Sequence, residues 1–152
     1  MTRTIRREMT KAPVRIGDHV SINEAREVMQ TWGMRHLPVT DSSDKLIGIL
    51  SERDFSRLFG SKLSGSSPVS DIMTLNPYSV FPETSLQIVV KEMAETKIGS
   101  TIIVNYERQV LGIFTTTDAM KVLSKILDDD DDGEYRTINI SEYLFGHQQG
   151  IA

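Results

Sequence analysis

The sequence predicts a mixed α/β (α+β) protein made of two tandem copies of one βαββα unit. Sliding the 152-residue chain against itself by 64 positions aligns the two halves without a gap from Met9 to at least Leu58, and a fixed period of this length marks a repeated supersecondary unit. Within each half the apolar pattern also passes through strand, helix, hairpin and helix in the same order.

The alignment keeps the residues with special backbone or packing roles in register. Met9-Thr10 falls on Met73-Thr74, Pro13 on Pro77, Ser21 on Ser85, Met29 on Met93, Gly48-Ile49 on Gly112-Ile113 and Asp54 on Asp118. Similar residues fill the intervals, such as Ile16 with Val80, Leu46 with Val110 and Ser51 with Thr115.

Each copy opens, after its proline, with a short extended stretch, Val14 to Ile16 or Tyr78 to Val80. A helix follows from capping-type residues, Ser21 with Glu24 in the first copy and Thr84 with Gln87 in the second. Ile22, Ala25, Met29 and Trp32, matched by Leu86, Val89 and Met93, recur at helical spacing and predict one buried face. A β-type run comes next, His36 to Thr40 or Ser100 to Val104. The polar turn Asp41-Ser42-Ser43-Asp44 or Asn105-Tyr106-Glu107-Arg108 then leads into a second strand, Leu46 to Leu50 or Val110 to Phe114. Ser51 and Thr115 start the closing helices. The resulting division is a basic arm at 1–8, repeats at 9–64 and 65–127, and an acidic linker and tail at 128–152.

Composition narrows the function classes. The chain is 39% hydrophobic and 25% charged, with no cysteine, so thiolate metal sites and cysteine nucleophiles are excluded. The net charge of −4 conceals an asymmetry: residues 128–152 carry seven acids against Arg136 alone, leaving the rest at about +2, which is no strong nucleic-acid footprint. Nucleic-acid binding through Arg3, Arg6, Arg7, Lys11 and Arg15 is therefore disfavoured. The same segment lacks the apolar stretch of a signal peptide, and no run is long enough to span a bilayer, so a cytoplasmic location without membrane attachment is expected. The five-Asp run reads as a helix end and a solvated linker. Beyond it, Tyr135 to Ile140 alternates like a strand, and Tyr143-Leu144-Phe145 is apolar enough to dock on the body or on a second copy.

Three markers together resemble the CBS (cystathionine-β-synthase-type) domain family over roughly residues 9–124. They are Met-Thr with Pro four residues after the Met, the stretch Gly33-Met34-Arg35-His36-Leu37-Pro38-Val39, and a heptad of Gly, apolar, any, Ser or Thr, two further residues and Asp. The heptad occurs as Gly48 to Asp54 and as Gly112 to Asp118. The resemblance implies a pair of repeats packed through their sheets with pseudo-twofold symmetry into one regulatory module, commonly a homodimer. It also implies adenosyl ligands in two clefts between the repeats: AMP, ADP or ATP, with S-adenosylmethionine or NAD as further members. No cofactor is required. The ligand would shift the arrangement of the repeats and act on an effector protein, which the sequence does not identify.

By that resemblance one site uses Thr10, Val14, His36, Leu37, Pro38, Ser51 and Asp54, with Arg53 as the natural phosphate partner. The other uses Thr74, Tyr78, Ser100, Thr101, Ile102, Thr115 and Asp118, with Thr117 in place of Arg53. The residue types suit the task. One carboxylate can accept from both hydroxyls of a ribose, and a hydroxyl at a helix start stands beside unpaired N–H groups that favour phosphate. The same Ser/Thr-x-x-Asp pattern also reads as a helix capping box without any ligand. Ile102 replaces the proline found as Pro38 and would reshape the second base pocket. Arg35 and Lys97 are placed to add positive charge or to be plain surface charge. Trp32 and the methionines read as packing residues, as does Tyr78 in its bland alternative. No nucleophile with a base partner, phosphate-cradling glycine loop or metal-ligand spacing is present, so no enzyme is expected. The alternative to a ligand sensor is an oligomerisation or interaction module that binds no ligand.

Overall fold

A computed structural model gives the fold and describes residues 3–129; the expectations for the acidic run past Asp129 and for the tail lie outside those residues. The chain divides into a unit at 1–120 and a unit at 121–152. Of the latter, the described part is the C-terminal stretch of a helix.

In the first repeat the elements are β1 (Thr10–Lys11), β2 (Ile16–Gly17), α1 (Ile22–Trp32), β3 (His36–Thr40), β4 (Leu46–Ser51) and a 3-10 segment at Glu52–Leu58. The second repeat gives β5 (Thr74–Leu75), β6 (Ser79–Val80), α2 (Leu86–Thr96), β7 (Ser100–Val104), β8 (Val110–Thr115) and α3 (Thr116–Asp129). The periodicity of the sequence therefore maps onto a mixed α/β architecture of two tandem units, as expected. The first extended stretch sits one or two residues later than read from the sequence, at Ile16–Gly17 and Ser79–Val80.

Local chemistry explains the helix limits. Ser21 and Glu24 form a full capping box on α1: the Glu24 N–H donates to Ser21 Oγ at 3.2 Å, and the Ser21 N–H donates to Glu24 Oε2 at 3.1 Å. Gly33 ends the helix in the left-handed region at φ 60°, where glycine carries no Cβ penalty. In the second repeat the N-cap is Ser85 rather than Thr84. Its helix start is satisfied from outside, because the Leu86 N–H donates to the Arg3 carbonyl at 2.8 Å. Trp32 does not belong to the buried face. Ile22, Ala25 and Met29 are 0–3% exposed whereas Trp32 is 67% exposed, because at 100° per residue it falls at the edge of their arc and at the open end of the helix.

The two sheets exchange their outer strands. One has the order β2-β3-β4-β5 and the other β1-β8-β7-β6, so the short strand that opens each repeat pairs with the hairpin of the other. The segments just before follow the same rule. Residues 65–73 serve the first repeat: Ile22 N–H donates to the Ser67 carbonyl, and Val69 and Ile72 enter the core of α1, β3 and β4. Residues 3–8 serve the second repeat in the equivalent way: Ile5 N–H donates to the Thr84 carbonyl at 2.9 Å, and Ile5, the counterpart of Val69, is fully buried. The sequence-based basic arm is thus built into the fold. The repeats also meet through an apolar layer of Leu46 and Ile49 with Ile102, Val104, Val110 and Ile113.

Candidate functional site

The register of the hairpins assembles the residues of the two heptads. His36 lies opposite Ser51 and Ser100 opposite Thr115, so the first residue of β3 or β7 adjoins the hydroxyl that ends β4 or β8. From the other side Thr74 pairs with Ile49 and Thr10 with Ile113, each two residues before that hydroxyl and on the same strand face. The sheets pair two of the expected residues across the repeats. Thr74, not Thr10, shares a sheet with Ser51, and Thr10 shares one with Thr115. The cause is the strand exchange, which an alignment of one half onto the other cannot reveal.

At the first turn Asp54 is 5% exposed. Its Oδ2 accepts from the Ser51 N–H at 2.7 Å and from Ser51 Oγ at 2.9 Å, and its Oδ1 lies 3.5 Å from Arg57 Nη2. Arg57 is held in turn by the Ile72 carbonyl at 2.7 Å. The second turn repeats the geometry. Asp118 Oδ2 accepts from the Thr115 N–H at 2.9 Å and Thr115 Oγ1 at 3.0 Å, while Thr115 Oγ1 accepts from the Asp118 N–H at 3.3 Å. Both carboxylates therefore do cap their turns through Oδ2, and an ionised carboxylate carries about four acceptor positions over its two oxygens. Arg53 and Thr117, equivalent in the alignment, are both exposed.

His36 is half-buried and crosses between the repeats: a Cβ on Gly99 would stand 2.8 Å from its Nε2. Only glycine leaves that room. Burial, the neighbouring Arg35 and, to a smaller extent, Arg53 hold the imidazole pKa below its ordinary value, against the opposing pull of Asp54 and Glu52. The ring is consequently neutral near pH 7 and presents one donor and one acceptor. Tyr78 is half-buried, its phenol pushed up by burial and Glu92, and its carbonyl accepts from the Ile102 N–H at 3.0 Å. Pro38, at the equivalent place, has no N–H to offer.

Strand alternation separates the remaining candidates. Leu37 belongs to the core under α1, together with Val39 and the partly buried Val14, so its side chain faces the helix. Ile102 belongs to the layer between the repeats. Thr101 is fully buried and its Oγ1 has no hydrogen-bond partner, so a hydroxyl sits where the first repeat has Leu37.

The sequence reading missed why each heptad begins with glycine. A Cβ on Gly48 would stand 2.5 Å from Met73 Sδ and 3.1 Å from the Thr74 carbonyl oxygen; on Gly112 it would meet Met9 Sδ and, at 3.1 Å, the Thr10 carbonyl oxygen. The Met-Thr marker and the Gly marker are the two sides of one strand crossing. Co-occurrence of both pairs at the repeat offset was the available signal.

The CBS domain family model matches residues 3–61 and 69–125. The chain belongs to the CBS domain family. Among solved structures, a CBS-type fold with TM-score 0.78 and 27% identity is that of the Vibrio cholerae protein named for acetoin utilization (AcuB), over 88% of this chain and 99% of that one. The CBS domain pair of MJ0100, in complex with 5′-methylthioadenosine and S-adenosyl-L-methionine, superposes with TM-score 0.75 at 23% identity over 83% of this chain and 99% of its own. CBSX2 in complex with AMP gives 0.71 at 23% over 82% and 98%. At these identities the last two speak to fold alone.

Curated relatives include the homoserine O-acetyltransferase of Methanohalobium evestigatum, 27% identical over 72% of this chain and 22% of that protein. Another is the inosine-5′-monophosphate dehydrogenase of Korarchaeum cryptofilum, 38% identical over 64% of this chain and 20% of that protein. The chain spans about a fifth of the length of these enzymes. Their names therefore describe proteins in which the matched part is a fraction. Among the described residues no helix is long and apolar enough to cross a membrane, and no group of three or more His, Asp or Glu is placed to hold a metal ion.

Proposed function

We propose that the tandem CBS pair is a regulatory module that binds an adenosyl ligand, AMP, ADP or ATP in the first instance, in clefts between the repeats. S-adenosylmethionine and NAD belong to the same ligand class, and the module acts on an effector protein, as a homodimer. The observation that carries this reading is the repeated Ser/Thr-x-x-Asp turn at a strand end, flanked by Thr74 and His36 in one sheet and by Thr10 and Ser100 in the other. The complexes of MJ0100 with 5′-methylthioadenosine and S-adenosyl-L-methionine, and of CBSX2 with AMP, support the ligand class. In the first cleft Asp54 would accept from ribose hydroxyls through the lone pairs its turn leaves open, with Ser51 and Arg53 toward phosphate. Asp118 and Thr115 would take the corresponding places in the second, without a cation at Thr117. Val14 and Pro38, and Tyr78, would shape the two base pockets, with Leu37, Thr101 and Ile102 contributing only their backbone because their side chains are buried. Regulation then requires that the ligand bind one arrangement of the repeats better than another.

A second reading is favoured by the capping bonds themselves: both carboxylates already serve their turns, as they would in an interaction module without ligand. Calorimetric titration with AMP, ADP, ATP, S-adenosylmethionine and NAD decides between them. Asp54→Asn and Asp118→Asn keep an acceptor oxygen for the cap but remove the charge, so saturable binding weakened by one or both supports the sensor. Absence of binding by folded, ligand-free protein leaves the interaction module.

A further inference from the structure

The repeat allows each surface feature to be compared with its counterpart 64 residues away, and one pair differs in kind. In the first repeat Arg15 and Asp44 form a two-pronged ion pair, Nε to Oδ1 and Nη2 to Oδ2, both 2.7 Å. Beside it the His19 ring covers Gly17, where a Cβ would come within 2.6 Å of Cε1. The equivalent residues in the second repeat are Ser79, Arg108 and Phe81. The cation has moved to the hairpin turn and the carboxylate has gone.

What stands there is an open cleft of about 350 Å³, lined chiefly by Ser79, Val80, Phe81, Thr84, Tyr106 and Arg108. The Phe81 and Tyr106 rings meet at 4.8 Å between centroids and 35° between planes, and Tyr106 is 86% exposed. Among the described residues the Arg108 side chain bonds only the Leu46 carbonyl, at 3.4 Å from Nη2, and it forms no ion pair. The cleft lies at the turn end of the hairpin, where Val104 pairs with Val110, whereas Thr115 pairs with Ser100 at the other end. Four residues of strand put the two about 13 Å apart.

We propose that this cleft binds a small aromatic carboxylate. The first repeat shows the pairing that the place accepts, a carboxylate held two-pronged by a guanidinium; in the second repeat the guanidinium stands on the turn side, at Arg108, and a ligand supplies the carboxylate on the side of Ser79. Phe81 and Tyr106, which replace Gly17 and Ser42, provide the faces against which an aromatic ring stacks. The site uses none of the residues assigned to the adenosyl clefts, so it stands or falls independently of them.

Titration of the full chain with phenylacetate and indole-3-acetate, followed by amide NMR of isotope-labelled protein, tests the site. The neutral phenylacetamide serves as the control. Saturable shifts at Phe81, Tyr106 and Arg108 are expected. The amide and the Arg108→Ala variant should each bind about tenfold more weakly, equivalent to ~1.4 kcal/mol. The double variant Ser79→Arg with Arg108→Asp rebuilds the ion pair of the first repeat and should abolish the shifts. It is compatible with the turn, because Asp44 already occupies the equivalent left-handed position at φ 60° where Arg108 has φ 63°. The proposal is overturned if no saturable shifts appear at these residues, if they appear at Thr115 and Asp118 instead, or if phenylacetamide binds as well as phenylacetate.

Discussion

Asp54 and His36 show how much of the proposed site already serves the fold. Asp54 is nearly buried and takes two hydrogen bonds from Ser51 on one oxygen, so removing the carboxylate leaves a partly buried N–H and hydroxyl unpaired. Asp54→Ala should lower stability by about 1–3 kcal/mol, and Asp54→Asn, which retains an acceptor, by distinctly less; equal losses in chemical denaturation would show that charge rather than capping holds the turn. His36 carries a pH dependence with a definite sign. Its folded pKa is depressed, so the unfolded chain takes up a proton first as pH falls below the ordinary histidine value of 6.5. Stability is therefore fully present above that value and declines as pH drops toward the lowered folded pKa. The depressed carboxylates Glu24, Asp44 and Glu83 act with the same sign but in a lower window, beneath their ordinary range. Denaturation midpoints measured at about pH 7.5 and about pH 5 should accordingly differ more for the natural protein than for His36→Gln. Parallel behaviour of the two would remove His36 as the cause. The residue types of this site were legible in the sequence, because the repeat singles them out twice. Their depth and the crossing of His36 onto Gly99 were not, since both depend on how the repeats pack.

The elements follow the sequence where local chemistry decides and depart from it where a distant segment intervenes. The Ser21 capping box and the hairpins β3-β4 and β7-β8 are local, and their bounds were readable to within a residue. The start of α2 was read one residue early because no local cap marks it: Ser85 makes no side-chain capping bond, and the Leu86 N–H, like that of Ile22, is met by a carbonyl far away in sequence. The strand crossings are of the second kind too. Gly112 lets β1 approach β8 closely enough for the Thr10 carbonyl to lie 3.1 Å from where a Cβ would stand. Gly112→Ala should cost about 1–3 kcal/mol, since the Met9 side chain must move aside and the Thr10 carbonyl, tight against the new carbon, must give as well. The same substitution should loosen β1, which hydrogen exchange at Thr10 and Lys11 would register as faster protection loss than elsewhere in that sheet. Unchanged exchange there would mean that Met9 alone accommodates the extra carbon.

For the molecule as a whole, reciprocal strand exchange has a thermodynamic consequence. A pair of beads on a string could lose one repeat and keep the other, but here β5 completes the sheet of the first repeat and β1 that of the second. Opening either repeat strips an edge strand and a buried residue, Val69 or Ile5, from its neighbour's packing, and exposes the shared layer of Leu46, Ile102, Val104 and Ile113. The cost of opening one repeat alone therefore approaches the cost of opening both, which is the condition for all-or-none behaviour. The amides of β3 and β4 should show the same opening free energy as those of β7 and β8 in hydrogen exchange under native conditions, and both sets should respond equally to mild denaturant. Ile5→Ala, a truncation in the arm that should cost about 2–4 kcal/mol, ought to lower protection in β3-β4 as much as in β7-β8, although Ile5 packs on the second repeat's side. Loss confined to β7-β8 would show that the repeats open separately. A ligand in the clefts would then have two weakly linked halves to act on rather than one coupled body.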